Sequence, residues 1–169
     1  DALREMHRPI AAAEVLILGA AYREDVGDTR YSGSEIVVRK LSEMGAEIRV
    51  HDPYLDHWWE LENQDHYPGK GHSRKNFFRN QEKLKDVRIQ KDIWQALKGA
   101  DAVVFAVRHE PYLNLDPNKV VDAIGKPAAI VDAFGILDDK KIISYLKRGC
   151  EVKAMGRGHI SRLKEFLNS

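Results

Sequence analysis

Cysteine and long apolar runs are both scarce in this 169-residue sequence. The longest apolar stretches, such as Val15–Leu18 and Ala102–Val107, have the length of strands and fall far short of the roughly 20 residues that a membrane helix needs. The single cysteine, Cys150, excludes a disulfide within the chain and points to a reducing compartment, for which we expect the cytoplasm. We therefore expect no membrane partner and no disulfide framework.

The sequence also lacks a dominant sign of charge, because 27 Lys and Arg oppose 26 Asp and Glu. A protein built mainly to hold nucleic acid shows a strong basic excess, so nucleic acid is not an expected partner. The first residues lack the basic and apolar regions of a signal peptide, and the chain does not begin with methionine. We expect one packed domain of ordinary size that is a piece of a longer protein.

What the sequence does contain is a regular alternation of short apolar runs and amphipathic segments. The runs predict strands at Glu14–Leu18, Glu47–His51, Val87–Gln90, Ala102–Val107, Ala128–Val131 and Glu151–Ala154. The segments between them predict helices at Ser34–Met44, Asp92–Leu97, Pro117–Ile124 and Asp138–Lys147, and an amphipathic turn or two at Ile160–Leu167. Strands that alternate with helices form right-handed crossovers. The sequence therefore predicts a Rossmann-like three-layer α/β sandwich, with a mostly parallel sheet and helices on both faces.

Residues 56–86 interrupt this alternation with a stretch that is unusually long between two strands. Its acidic first half and basic second half contain three histidines together with tryptophan and phenylalanine pairs: His57, His66, His72, Trp58, Trp59, Phe77 and Phe78. The histidine spacing matches no compact zinc pattern. The basic run suggests nucleic acid, but the preceding acidic stretch can neutralise it. We expect a solvated insertion at the edge or end of the sheet, with no metal.

The loop after the first predicted strand begins at Gly19, where an open α/β sheet receives its ligand. The dinucleotide fingerprint would need further glycines at positions that here hold Ala21 and Glu24, so this unit is not expected to grip NAD in the standard way. The loop offers Arg23 and Arg30 instead, each near an aspartate. The spacing alone leaves two interpretations open: an anion site, or charged pairs that brace the loop.

Five segments in chain order resemble the C-terminal domain of the UDP-glucose/GDP-mannose dehydrogenase family. Ile17–Ser32 resembles the family's strand, G-x-x-[FY]-K and D-x-R-x-S, and Gly45–Tyr54 resembles G-A-x-V-x-x-Y-D-P. Ala96–Val104 matches A-x-x-G-A-D-A-V-V, Ile130–Asp138 lies where the family has a strand ending in D-x-R, and Met155–Gly158 is similar to I-G-x-G. The resemblance covers roughly residues 13–158. We expect a nucleotide-sugar-binding domain at 14–158, a linker or helix remnant at 1–13 and a tail at 159–169.

The resemblance implies the activity of a longer enzyme rather than of this chain alone. Enzymes of the family use NAD twice to oxidise the C6 alcohol of a nucleotide sugar to a carboxylate. An N-terminal domain holds NAD, a central domain carries the cysteine nucleophile, and the C-terminal domain covers the nucleotide. A UDP-sugar of the UDP-glucose or UDP-N-acetylhexosamine type, the two other domains and further copies of the enzyme are therefore the implied partners. No catalytic residue is expected here, because Cys150 lies outside the cysteine motif and is interpreted as a packing residue.

Individual positions carry the resemblance further. Tyr22-Arg23 matches the family's substrate-contacting aromatic-Lys pair, and Arg30 matches the D-x-R arginine that reaches toward NAD. Phe134 stands where the family has a later arginine that contacts the substrate, and a neutral ring cannot replace a guanidinium. His109 either lines the cleft between domains or braces a loop. The alternative function is a non-catalytic binding module that uses the same fold.

Overall fold

The sheet is parallel throughout. The computed structural model describes residues 1–64, 80–156 and 158–168, and its strands are β1 (Glu14–Leu18), β2 (Glu47–His51), β3 (Ile89–Gln90), β4 (Ala102–Phe105), β5 (Ala129–Asp132) and β6 (Glu151–Ala154). They lie in the order β3-β2-β1-β4-β5-β6. Every adjacent pair is parallel, which confirms the predicted sheet and makes it wholly rather than mostly parallel.

Short helices connect these strands. The described residues form α1 (Ala2–Glu5), α2 (Gly33–Glu43), α3 (Trp59–Glu62), α4 (Glu82–Lys85), α5 (Ile93–Leu97), α6 (Glu110–Leu113), α7 (Pro117–Ile124), α8 (Asp139–Lys147) and α9 (Ile160–Asn168). Three of these helices have side-chain caps, since Asp92, Asp116 and Asp138 accept hydrogen bonds from N–H groups of the first turns of α5, α7 and α8. Such caps satisfy backbone donors that a helix start leaves unpaired.

Two apolar cores cover the two faces of the sheet. In β1, Leu16 and Leu18 enter one core, while Val15 and Ile17 enter the other. Residues of α5, α7, α8 and α9 build the first core, and residues of α1, α2, α3 and α4 build the second. Alternate side chains of a strand point to opposite faces, so a central strand that is covered on both faces is apolar at successive positions, as in Val15–Leu18 of β1 and in β4. The predicted three-layer sandwich is confirmed.

Part of the inserted segment belongs to the core, and the expectation of a solvated insertion is wrong for the residues that are buried there. Trp58 and Leu61 are both 0% exposed and lie in the second core with Leu84. This role is hard to see in the sequence, because polar residues surround these side chains. Only a few closely spaced apolar residues mark the side of the segment that is buried. The expectation for His66, His72, Phe77 and Phe78 falls on residues 65–79, outside the described ranges.

A buried ion pair ties this segment to α2. Arg39 Nε lies 2.9 Å from Glu35 Oε1, and both side chains are almost inaccessible to solvent. The same guanidinium donates to Gln64 Oε1 at 3.1 Å and to the Glu60 carbonyl at 3.3 Å. A buried charge is tolerated only when it is paired and hydrogen-bonded. Residues 60–64 are therefore held by polar as well as apolar contacts.

Both ends of the chain pack against the sheet. Ala2 and Leu3 of α1 join the second core, and Ile160 of α9 joins the first. Lys153 Nζ on β6 also lies 2.5 Å from Glu5 Oε1. None of the helices in the three described ranges is both long and apolar enough to cross a membrane. The domain limits at residues 14 and 158 stay a prediction.

Candidate functional site

The strand order reverses at the boundary between β1 and β4. The chain leaves β1 toward β2 on one side and returns to β4 on the other. In open α/β sheets, the crevice at the carboxyl ends of two such strands receives the ligand. The candidate site therefore consists of residues 19–32 after β1 and residues 106–109 after β4, with the ends of β2 and β5 beside them.

Residues 22–31 project from a closed base. Ser34 Oγ donates to the Gly19 carbonyl at 2.9 Å, and Ser32 Oγ donates to the Ala21 carbonyl at 3.1 Å. The backbone N–H of Tyr22 donates to the Asp28 carbonyl at 2.9 Å. These bonds bring the start of α2 back beside the end of β1. The intervening loop, residues 22–31, stands out at the ligand edge of the sheet.

The base depends on a glycine at position 19. Gly19 has φ +102°, a conformation that side chains other than glycine rarely adopt. A Cβ atom at this position would lie 2.5 Å from Cβ of Val107. The turn after β1 therefore requires glycine. At this point β1 and the end of β4 approach each other so closely that no side chain fits between them.

An internal carboxylate occupies the backbone amides at this turn. Asp52, fully buried at the end of β2, accepts on Oδ2 from Ala20 N at 2.8 Å and from Ala21 N at 3.2 Å. Burial raises the pKa of Asp52, but hydrogen bonds from the His109 ring and from the amides of Ala20 and Tyr54 outweigh this effect and lower it below its ordinary value. Dinucleotide-binding folds offer such amides to a phosphate. In this protein, the Asp52 carboxylate accepts the hydrogen bonds of these amides instead.

His109 joins this carboxylate to the projecting loop. Its ring is completely buried, with Nε2 3.1 Å from Asp52 Oδ2 and Nδ1 2.9 Å from the backbone N of Asp25. The Asp25 carboxylate in turn accepts from Glu110 N at 2.9 Å, and this bond is the main cause of its lowered pKa. Of the two roles considered for His109, the geometry shows the brace.

Tyr22 and Arg23 lie exposed on this braced loop. Tyr22 is 44% exposed, and the Arg23 guanidinium lies 5.5 Å from the centre of its ring. Arg23 forms no ion pair with any described residue, because Asp25 bonds to His109 and Glu110 while Asp28 bonds to Arg30. The alternative in which Arg23 braces the loop is thus not what the structure contains. The guanidinium and the phenol are both available to a ligand.

Arg30 has a partner. Its Nε lies 3.0 Å from Asp28 Oδ1 and its Nη2 lies 2.6 Å from Asp28 Oδ2. This bidentate ion pair occupies one edge of the guanidinium. The hydrogen bond from Arg30 lowers the pKa of Asp28 to about 2. The side chain remains 74% exposed. Arg30 therefore braces the loop in this structure and still presents its charge at the site.

The end of β5 contributes a ring in place of a charge. Phe134 is 49% exposed, and its backbone N donates to Asp132 Oδ1 at 3.0 Å. The buried Asp132 also accepts from Leu137 N at 2.8 Å, so this carboxylate closes the turn that displays Phe134. Met155 is exposed just after β6. The end of β5 thus displays a ring where the resemblance calls for arginine.

Two other candidates from the sequence lie away from this edge. Cys150 is buried between α8 and β6, and burial raises the pKa of its thiol, as expected for a packing residue. His57 Nδ1 lies 3.4 Å from Glu62 Oε2. Over residues 1–64, 80–156 and 158–168, no group of three or more His, Cys, Asp or Glu side chains is placed to hold a metal ion.

Sequence reasoning missed Asp52 and the bracing of Asp25. A usable signal was present for Asp52, because an acidic residue at the end of the second strand is a standard feature of dinucleotide folds. There it binds the ribose, whereas here it turns inward to Ala20 and Ala21. For the contact between Asp25 and His109 there was no signal, since 84 residues separate them in the chain.

The fold and the edge described above define a Rossmann-like α/β domain. Residues 16–139 match the UDP binding domain of the UDP-glucose/GDP-mannose dehydrogenase family. The chain belongs to this family.

Relatives and solved structures agree with that assignment. The chain is 30% identical over 125 residues to UDP-glucose 6-dehydrogenase of Bos taurus, covering 74% of this chain and 24% of the relative. The Drosophila melanogaster UDP-glucose 6-dehydrogenase is 25% identical over 156 residues, covering 92% and 30%. The fold resembles NDP-N-acetyl-D-galactosaminuronic acid dehydrogenase of Methanosarcina mazei Go1, with TM-score 0.73, 23% identity and coverage of 95% and 28%. The chain thus spans about a quarter to a third of the length of the proteins it matches.

Proposed function

We propose that this chain is the nucleotide-sugar-binding domain of an NAD-dependent dehydrogenase that oxidises the C6 alcohol of a UDP-sugar to a uronic acid. The match to a UDP binding domain supports the nucleotide, and the related UDP-glucose 6-dehydrogenases support the reaction. The remaining length of such relatives would supply the NAD-binding domain and the cysteine nucleophile. The isolated chain would then bind substrate without oxidising it, in an enzyme of the cytoplasm.

The observation that carries this proposal is Arg23, which lies beside the exposed Tyr22 ring and forms no ion pair with the residues that the structure describes. A guanidinium can give two parallel hydrogen bonds to a phosphate or to neighbouring sugar hydroxyls, and a phenol can pack against a ring while its hydroxyl bonds outward. Both groups stand on a loop whose base and tip are hydrogen-bonded. This arrangement fits a diphosphate with an attached ring better than it fits an apolar ligand.

The residues present do not fit a dinucleotide held at the end of β1. The amides of Ala20 and Ala21, which a pyrophosphate would need, already bind Asp52. NAD, which supplies the hydride acceptor when bound, would therefore be gripped by another domain of the parent enzyme. In this chain Arg30 would reach toward it, because its guanidinium is exposed at the same edge.

Phe134 bears on which nucleotide sugar is bound. The family's arginine at this position would add a second positive charge near the substrate, and this chain offers an exposed ring instead. We infer that the ring packs against an apolar face of the ligand and contributes less to binding of its phosphates. The identity of the sugar would follow from contacts other than a second guanidinium.

Calorimetric titration of the 169-residue chain tests the proposal. UDP, UDP-glucose and UDP-N-acetylglucosamine are expected to bind, and GDP and inorganic phosphate are expected to bind at least about tenfold more weakly, because a built site distinguishes bases by hydrogen bonds that the wrong base leaves unmade. Equal binding of UDP, GDP and phosphate would show a charged surface rather than a nucleotide site. Steady NADH formation by the chain alone would contradict the assignment of roles.

A further inference from the structure

The conformation of the projecting loop is set by buried side chains from two other strands. Residues 22–25 are exposed and have no core of their own. Asp25, near the tip, has φ +55°, a left-handed conformation that aspartate adopts more readily than most residues. The contacts that hold Asp25 lead outside the loop, to His109 and to the start of α6.

The hydrogen bonds determine which nitrogen of the neutral His109 ring carries the proton. A backbone N–H can only donate, so Nδ1 must accept from Asp25. In a neutral ring the proton is then on Nε2, which faces the Asp52 carboxylate at 3.1 Å. Asp52 also accepts from the amides of Ala20 and Ala21 at the base of the loop. A single buried chain of bonds thus connects the tip of the loop to its base.

The loop also passes closely over the neighbouring segment after β2. A Cβ atom at Gly27 would lie 2.7 Å from the Tyr54 carbonyl oxygen, and the Tyr54 ring meets the His109 ring edge-on at 5.0 Å between centres. The loop therefore packs against the same group of residues that holds its polar atoms, namely Asp52, Tyr54 and His109. Loss of the bond from Asp25 N to His109 would remove one of the contacts that hold Asp25, beside those from Glu110 N and Tyr54, without opening the apolar cores.

We propose that His109 is a positioning residue for substrate, which holds Asp25 so that Tyr22 and Arg23 are preset at the ligand edge. The inference rests on the proposed function, because it assigns these residues to the same site. A preset loop binds more tightly than a mobile one, since a ligand that needs a rare conformation loses affinity in proportion to its rarity.

Two substitutions of His109 separate the two ring nitrogens. In His109→Asn, the amide oxygen can stand near the position of Nδ1 and still accept from Asp25 N. In His109→Gln, the amide nitrogen can stand near the position of Nε2 and still donate to Asp52, while the acceptor for Asp25 is lost. Each variant removes one bond of a buried residue. A merely structural role therefore predicts similar losses of binding, in step with the melting temperatures.

The two variants are compared by calorimetry with UDP and by hydrogen exchange of the Asp25 amide in the 169-residue chain. Positioning predicts that His109→Gln weakens UDP binding by roughly 5- to 20-fold and speeds Asp25 exchange by at least about tenfold, while His109→Asn stays close to wild type in both. Equal binding losses in the two variants, or no loss in His109→Gln, would overturn the proposal.

A second pair avoids the buried site altogether. Asp25 is exposed, so its replacement does not threaten folding. Asp25→Asn keeps an oxygen for Glu110 N and tolerates positive φ, whereas Asp25→Ala keeps neither advantage. We expect Asp25→Ala to weaken UDP binding by a factor similar to that of His109→Gln, and Asp25→Asn to bind as wild type. Wild-type affinity in Asp25→Ala would contradict the role of the tip.

The exchange measurement also tests the role of His109 separately from the proposed function. If the wild-type chain binds no UDP, the proposed function fails. Faster Asp25 exchange in His109→Gln alone would then still support His109 as the residue that fixes the loop, and unchanged exchange would overturn it.

Discussion

The Asp52 carboxylate lies 2.8 Å from the backbone N of Ala20, where a nucleotide-binding fold would present that amide to a phosphate. The loop after β1 is therefore closed by the protein's own anion. This relationship explains how a Rossmann-like sheet can serve a nucleotide sugar without the glycine-rich turn. The ligand must be met by side chains that project beyond the closed base.

Asp52→Asn should change how stability depends on pH. Because the pKa of Asp52 is lower in the folded protein, its carboxylate stabilises the fold above its unfolded pKa of about 3.9 and loses this effect as pH falls through the lower folded value. We expect Asp52→Asn to be less stable at pH 7 by roughly 1–3 kcal/mol. Below about pH 4 the difference should shrink. Urea unfolding at several pH values checks this, and a difference that does not change with pH would contradict it.

Gly19→Ala should destabilise the domain. The new Cβ would meet Val107 at 2.5 Å in a backbone conformation that disfavours alanine, so strain and overpacking add to about 2–4 kcal/mol. Gly33→Ala is the matched control, because nothing lies within 4 Å of a Cβ atom there and alanine suits a helix. Denaturant unfolding of both variants measures the effect. Equal stabilities would show that the approach of β1 to Val107 has no energetic importance.

The two adjacent tryptophans test whether the inserted segment is part of the core. Trp58 is 0% exposed and Trp59 is 58% exposed. We expect Trp58→Ala to cost roughly 3–5 kcal/mol and Trp59→Ala to cost less than about 0.5 kcal/mol. A comparison of their unfolding free energies gives the answer. Similar values for the two variants would mean that this segment does not hold the fold together.

Arg30 is expected to matter for NAD and not for folding. It is exposed and paired with Asp28, and exposed pairs contribute little to stability. In the parent enzyme, Arg30→Ala should raise the KM for NAD or lower turnover, and the melting temperature should hardly change. Steady-state kinetics with NAD varied would show this. A large fall in melting temperature with unchanged kinetics would leave Arg30 as a structural brace alone.

The sheet could be predicted from the sequence because its strands are apolar on both faces and its helices carry local signals. Val103 and Val104 pack into opposite cores, so no alternation obscures the strand. Asp92, Asp116 and Asp138 mark helix starts within a few residues. Apolar strands and helix starts can be recognised from residues that are close together in the chain.

The bracing of the site could not be predicted in the same way. His109 acts on Asp25 and Asp52, which lie 84 and 57 residues away, and no local pattern records those distances. The burial of Trp58 was hidden for a related reason, since Trp58 is 0% exposed and the adjacent Trp59 is 58% exposed, and the local sequence does not distinguish the two rings. Tertiary contacts decided both features.

The most direct test of the account is calorimetric titration of UDP-sugar into the chain with Arg23 replaced. Loss of a charged donor to a ligand should cost about 1.5–3 kcal/mol, so Arg23→Ala is expected to weaken binding by about 10- to 150-fold. Arg23→Lys, which restores the family's residue, should recover part of the affinity, and Arg162→Ala on α9 should bind as wild type. An unchanged dissociation constant in Arg23→Ala would contradict the proposed site.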